Sequence, residues 1–374
     1  MNTRRINLPF SVKKPILACG ADLKGAFALA EGKNCILADS FGDLSDLDNF
    51  TEYALAVRAC TKKTGIKPQV ITCDLHPNYF SVHFAEDLQL KSSGLKICRI
   101  QHHEAHIASV ITDNKIKGDV IGVAFDGTGY GTDGNMWGGE FFAGGLNGFK
   151  RAAHLEYIPM PGADMAVKEP WRMAASYINN AFGNTLPSIV RRWNSADLKV
   201  IKAMISKRVN SPLTSGAGRL FDAAASIILS KDRIRYEAEL PIELEKALTV
   251  NSGERYGFDI ERAGGNFIIK TSVLIKDIVK DAEAGTDKGL MSCKFHNTVA
   301  EMIVETSARL GKKFKIEQVV LSGGVFQNKY VTARALNGLR DKGFKAYSHR
   351  DVPASDYGIP VGQIAMANKR AICV

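Results

Sequence analysis

The sequence predicts an α/β protein of two lobes, from three observations. The chain has 374 residues, 45% of them hydrophobic, and single cores stop growing near about 250–300 residues, so two are expected. Its first forty residues alternate short apolar runs with turns, as several two-lobed phosphotransferase folds begin. Two later apolar runs, 120–125 and 319–321, enter the glycine-rich turns Asp126-Gly127-Thr128-Gly129-Tyr130-Gly131 and Ser322-Gly323-Gly324.

In chain order, residues 1–14 read as an extended leader and Ile16–Gly20 as a buried strand entering a turn. Ala26–Ala30 is a second strand, Glu31-Gly32-Lys33 a turn, and Cys35–Ser40 a third strand. Asp43 to about Lys63 is a helix with Asp and Ser cap candidates. Val70–Pro77 is a strand ending in the polar cluster Asp74-Leu75-His76; His76 suits catalysis or turn-fixing about equally. Ile97–Ile100 is a strand that delivers the chain into a histidine-rich helix. Beyond the Asp126 turn, Trp137–Gly145 is a hairpin strand and Pro159–Trp171 a loop into the helix Arg172–Asn180. Residues 185–209 are helical. A small-residue loop, Thr214–Gly218, starts an apolar helix to Leu229, where Arg219 either binds an anion or pairs with Asp222 at i,i+3. An acidic amphipathic helix follows Tyr236, residues 266–276 are β-like, and a helix starts by Lys294. Near Asn328 another helix begins, Ala346–His349 is a late strand, and Pro353–Gln363 leads into the terminal helix.

The stretch richest in chemistry is Gln101-His102-His103-Glu104-Ala105-His106, which holds three of eight histidines. His102 and His106 are one helical turn apart, which puts both imidazoles on one face, with Cβ atoms within about 6 Å. Two neutral imidazoles so placed form half of a divalent-metal site; the alternative is a helix whose histidines face water or satisfy core hydrogen bonds. Asp126, at a strand tip, offers an oxygen ligand, and Asp356 either a further one or a helix cap. Gly127, Gly129 and Gly131 leave backbone N–H groups open to phosphate oxygens. Ser322-Gly323-Gly324 gives bare backbone against which an adenine or ribose fits.

Composition bounds the function. Charged residues are 24% and the formal net charge is +10, without a long Lys/Arg run, so a dispersed solvated surface is expected rather than a nucleic-acid partner. Seven cysteines, none in a C-x-x-C pair, exclude zinc-finger spacing and predict reduced thiols and a cytoplasmic protein. No segment has signal-peptide or membrane-span character.

Gln-His-His-x-Ala-His-Ile-Ala, Phe-Asp-Gly-Thr-Gly-Tyr-Gly-Thr-Asp-Gly, Trp-Gly-Gly-Glu-Phe, Glu-Pro-Trp-Arg-Met, Gly-Arg-Leu-Phe-Asp and Leu-Ser-Gly-Gly-Val-Phe-Gln-Asn occur in this order, with Cys-Asp-Leu-His-Pro upstream. Together they resemble the C-terminal, Kae1-like part of the HypF carbamoyltransferases of [NiFe]-hydrogenase maturation, from about Pro15 onward. The resemblance implies a two-lobed fold of the actin, sugar-kinase and Hsp70 type, with residues 1–118 plus 357–374 as lobe I. Lobe II is then 119–356, with a helical insertion around 165–250. It implies a divalent ion, iron or zinc, on His102, His106, Asp126 and Asp356, the first three catalytic. It implies ATP or carbamoyl-adenylate at Gly127, Thr128, Gly129, Gly131, Ser322, Gly323, Gly324, Gln327 and Asn328, with Lys168, Gly218, Arg219 and Asp222 in the pocket. It implies the C-terminal cysteine of HypE as the acceptor.

The family's acylphosphatase, zinc-finger-like and YrdC-like regions have no counterpart in these 374 residues, so a separate carbamoyl-adenylate source such as a YrdC-like domain is expected. Ala163 stands where the family has Gly, and Gly20-Ala21-Asp22 departs from Gly-Gly-Glu, which weakens a first phosphate contact there. The rival readings are a small-molecule O-carbamoyltransferase, a tRNA threonylcarbamoyltransferase, and a non-catalytic scaffold that binds ATP and HypE.

Overall fold

A computed structural model describes residues 2–370; Cys373 and the end of the expected lobe I lie outside them. In the first third, strands β1 (Thr3–Ala18) and β2 (Ala28–Ala38) precede helix α1 (Leu47–Thr64). Then come β3 (Val70–Asp74), α2 (Phe80–Lys91), β4 (Lys96–Ile100) and α3 (His102–Asp113). Next are β5 (Val120–Tyr130), β6 (Met136–Gly145), β7 (Gly148–Leu155), β8 (Ile158–Pro159), α4 (Asp164–Lys168), α5 (Trp171–Phe182), α6 (Ser195–Lys207), β9 (Leu213–Thr214), α7 (Ala217–Leu229) and α8 (Glu239–Lys246). The remainder is β10 (Asp259–Ala263), β11 (Asn266–Lys270), α9 (Ser272–Glu283), α10 (Lys288–Phe314), β12 (Gln318–Ser322), α11 (Lys329–Asp341), β13 (Lys345–Tyr347) and α12 (Ile359–Lys369).

Two sheets result. The first has the order β2-β1-β3-β4, and the second runs β10-β11-β7-β6-β5-β12-β13, with β9 beside β6 and β8 beside β9. The buried strands β3 and β12 and the first half of β5 are near-continuous apolar runs, each with a parallel neighbour and covered on both faces. The largest core lies against the second sheet under α5, α7, α9 and α10, and two smaller cores flank the first.

Several expectations need correcting. The leader 1–14 is the outer part of β1, paired antiparallel with β2. The turn expected at Glu31-Gly32-Lys33 lies inside β2, where Gly32 faces Val12 between two register shifts; a bulge absorbs it. The 185–209 helix is a short 3₁₀ turn, Ser188–Arg192, followed by α6, because Asn194 caps a fresh start through Ala196 and Asp197 N–H. Residues 266–276 divide into β11 and the first turn of α9. The glycine-rich turn after Asp126 is still strand: β5 resumes pairing at Gly129↔Trp137 after a bulge over 126–128. Cys19, Cys35, Cys60, Cys73 and Cys293 are buried free thiols, and Cys98 is not among them. No described helix is long and apolar enough to cross a membrane.

Helix α3 is the hinge-pin of the arrangement. Gln101 caps it by accepting the Glu104 N–H at 3.0 Å, and ten of its twelve residues are buried, with His102, His103, His106, Ser109 and Thr112 among apolar neighbours. Ile107 packs on β5 at Gly122, where a Cβ would lie 2.5 Å from the Ile107 side chain. Full burial of such a side chain stabilises by about 1.5–3 kcal/mol. On its other side α12 crosses so closely that a Cβ on Gly362 would sit 1.9 Å from the Ala105 carbonyl oxygen. Gln363 fixes α12 in turn: its amide accepts from Gly20 N–H at 2.9 Å and donates to the Gly20 carbonyl at 3.0 Å.

Candidate functional site

Four elements converge on the N-terminal half of α3. The tip of β3 brings Asp74, the bulge of β5 brings Asp126, the end of β12 brings Ser322, and a 3₁₀ turn before α12 brings Asp356. Bulges re-aim side chains, and this one turns Asp126 toward α3. His106 Nε2 lies 2.9 Å from Asp126 Oδ2 and 3.3 Å from Asp356 Oδ1; for His102 Nε2 the distances are 3.8 and 3.7 Å. All four donor atoms lie within 4.8 Å of one another, close enough for one small ion to be held among them.

The donor chemistry fits a cation. Both histidines are fully buried, yet neither Nε2, nor Asp126 Oδ2, makes a hydrogen bond of good geometry. Buried polar atoms are otherwise nearly always satisfied. Burial alone would disfavour charge on His102 and His106, but the facing carboxylates outweigh it and raise both imidazoles above their usual range. Burial likewise opposes an ionised Asp126, and the two imidazoles outweigh it, which holds the carboxyl well below its usual range. Two carboxylates and two neutral imidazoles would balance a divalent ion.

Partners behind the ligands set their orientation. His102 Nδ1 contacts Asp74 Oδ2 at 2.8 Å, and both side chains are fully buried. A histidine that ligates through one nitrogen usually donates through the other to a carboxylate. His106 Nδ1 faces Ser322 Oγ at 3.4 Å, and Ser322 Oγ faces His349 Nε2 at 2.8 Å. Sequence reasoning assigned no role to Asp74 or His349. A buried apolar strand ending in Asp would have signalled Asp74; His349 carried no signal of its own.

The expected nucleotide residues separate by what they touch. A Cβ on Gly127 would meet nothing nearer than Arg219 Nη2 at 3.5 Å, while one on Gly218 would lie 2.7 Å from Gly127 Cα, so the start of α7 sits directly against the β5 bulge. Gly324 lies beside Asp126, its absent Cβ 2.9 Å from Oδ1. Thr128 is half-buried and makes no side-chain hydrogen bond among the described residues. Gln327 is exposed and its amide donates to the Gly324 carbonyl.

Others are used by the fold. A Cβ on Gly129 would collide with His103 and His102 at 2.5 and 2.8 Å, and one on Gly131 with Trp137 at 2.3 Å. Gly323, at φ +107°, leaves 2.2 Å to the Phe125 carbonyl. Asn328 caps α11 by accepting the Val331 N–H, and Ser322 points at His106. Arg219 pairs with Asp222 at 2.9 Å, both side chains buried. Burial pushes the Asp222 carboxyl up to about 6 despite that arginine. Lys168 is exposed on α4, and no hydrogen bond or ion pair ties its side chain to these groups among the described residues. His76 fixes its turn, accepting the Asn78 N–H at 3.2 Å and stacking on Tyr79. Asp22 caps α2 through Phe80 and Ser81 N–H.

A two-sheet α/β protein with a buried imidazole–carboxylate cluster at the junction of its sheets, flanked by bare glycine backbone, is a protein of the Kae1-like class. Residues 122–363 match the family model described as "Carbamoyltransferase, Kae1-like Domain, second subdomain", and residues 11–113 match the HypF Kae1-like domain. The chain belongs to the HypF carbamoyltransferase family. It is 31% identical to carbamoyltransferase HypF of Synechocystis sp. over 96% of its own length and 48% of that protein. It is 32% identical to a carbamoyltransferase HypF homolog of Cupriavidus necator over 95% of its length and 92% of that protein. A crystal structure of full-length HypF in its phosphate- and nucleotide-bound form superposes with a TM-score of 0.91, at 35% identity, over 98% of this chain and 57% of that one. HypF of T. kodakarensis gives 0.88 at 27% identity, over 98% of this chain and 48% of that one. The chain spans about half the length of most of the curated relatives it matches.

Proposed function

We propose that the chain transfers a carbamoyl group from carbamoyl-adenylate to the C-terminal cysteine of HypE, as a step toward the cyanide ligand of [NiFe]-hydrogenase. The observation that carries this reading is the meeting of four metal-capable donors with open backbone at Gly127, and with Gly324 packed beside Asp126. The acceptor thiolate attacks the carbamoyl carbon; a C–S bond forms, the C–O bond to the adenylate phosphate breaks, and AMP leaves. HypE supplies the nucleophile, so no cysteine here is required.

His102, His106, Asp126 and Asp356 would hold a divalent ion, iron or zinc, which when bound supplies Lewis-acid polarisation of a carbamoyl or phosphate oxygen. The start of α7 at Gly218, against Gly127, suits a phosphate: helix N-terminal N–H groups and the dipole favour an anion there. Arg219 adds a cation beside Gly127, and Thr128, Gly324 and Gln327 are read as further nucleotide contacts. Positioning and backbone stabilisation of developing charge carry the catalysis.

We read residues 1–118 plus 357–374 as lobe I and 119–356 as lobe II, with the helical insertion around 165–250. The packing of α12 on β1 and α3 supports that division. A separate YrdC-like source supplies the adenylate, in the cytoplasm. Purified chain, carbamoyl-adenylate and HypE are incubated and HypE is weighed by mass spectrometry. A gain of one carbamoyl group, lost in His106→Ala, is expected; no gain from zinc-loaded protein would leave a binding scaffold as the better reading.

A further inference from the structure

We infer that Ser322 and His349 form, with His106, a buried hydrogen-bonded chain that sets the ring orientation and tautomer of His106, making Ser322 and His349 positioning residues for the metal centre. The inference rests on the metal reading above. Three segments supply the chain: His106 from α3, Ser322 from the end of β12, and His349 from the stretch after β13. Ser322 and His106 are fully buried, and the His349 side chain is 7% exposed. Nδ1 of His106 lies 3.4 Å from Ser322 Oγ, and that oxygen lies 2.8 Å from His349 Nε2. His349 Nδ1 then faces Asp113 Oδ2 at 3.8 Å, and Asp113 is held by the Arg350 N–H at 2.6 Å.

Proton counting gives the chain one direction. With its Nε2 given to a cation, His106 keeps its only ring proton on Nδ1 and donates it to Ser322 Oγ. The hydroxyl has one proton of its own, and the acceptor within reach is His349 Nε2. His349 must therefore carry its proton on Nδ1, toward Asp113. His102 is oriented by a carboxylate directly; His106, on the same helix face, reaches one only through this hydroxyl and imidazole. Two ligands one turn apart are thus held by different partners behind their Nδ1 atoms.

The test uses the whole chain, with zinc affinity read by chelator competition and tautomers by nitrogen-15 NMR of the zinc-loaded protein. Ser322→Ala and His349→Leu should each lower zinc affinity about 10–100-fold. His349→Gln, whose amide oxygen can still accept from the serine, should retain most of it. In the wild type, His349 should be protonated at Nδ1. Circular dichroism of the metal-free variants separates misfolding from ligand loss, and the tautomer needs no variant at all. Wild-type affinity in both Ser322→Ala and His349→Leu, or a His349 proton at Nε2, overturns the inference while the metal reading stands. A wild-type chain that binds no zinc overturns both.

Discussion

Asp74 Oδ2 and His102 Nδ1 lie 2.8 Å apart with both side chains fully buried, so the first imidazole of the cluster is locked by a carboxylate from a different strand. Asp74 also accepts the His76 N–H at 3.0 Å, which holds the carboxylate in place. Asp74→Asn keeps that turn contact and removes the charge behind the ring. Zinc affinity should fall about 10–100-fold, since partners of ligating histidines typically contribute that much. Chelator competition measures it, and an unchanged constant would show that His102 needs no such support.

Gly127 and Gly129 are two residues apart and should respond oppositely to a methyl group. Gly129→Ala drives a Cβ to within 2.5 Å of His103, and overpacking of this kind costs about 1–3 kcal/mol. Gly127→Ala meets nothing closer than 3.5 Å and should unfold at the wild-type temperature while losing nucleotide affinity. Calorimetry with and without nucleotide distinguishes them; equal melting temperatures for the two variants would refute the packing role of Gly129.

Stability should depend on Asp222 between about pH 4 and 6. Burial raises its carboxyl from 3.8 to about 6, so the folded chain binds a proton there that the unfolded chain has released. Its contribution is complete below the unfolded value and is lost as pH rises through the folded one, on the order of 3 kcal/mol in all. Denaturant melts of wild type and Asp222→Asn across this range should diverge in slope. Parallel slopes would place the titration elsewhere.

Lys168→Ala should leave both nucleotide and zinc affinity unchanged, because this exposed side chain has no contact with the cluster. A measurable drop in nucleotide affinity by calorimetric titration would mean that α4 reaches the site when ligand is bound.

Much of this was legible in the chain itself. Helical spacing places His102 and His106 on one face, and the strand before Asp126 is plain from its β-branched run. Asp356 is less so: the residues alone leave it a ligand or a cap, and the fold turns it toward two imidazoles. The glycine motif is ambiguous for a physical reason. Phosphate loops and close packing both demand a missing Cβ, and only coordinates show that Gly129 lies tight against α3 and Gly131 tight against Trp137 of β6. Ser322 reads equally well as part of a nucleotide loop, because a strand's sequence does not reveal which neighbour its last side chain meets.

The close crossing of α12 over α3 has a bearing on biosynthesis. Gly362 against Ala105, and Gln363 gripping Gly20, bind α12 to segments translated long before it. While translation is under way, His102, His106 and Asp126 emerge long before Asp356, so an open three-donor precursor precedes the finished cage. The four-donor set is therefore complete only once the segment carrying Asp356 has been made and α12 has closed on α3.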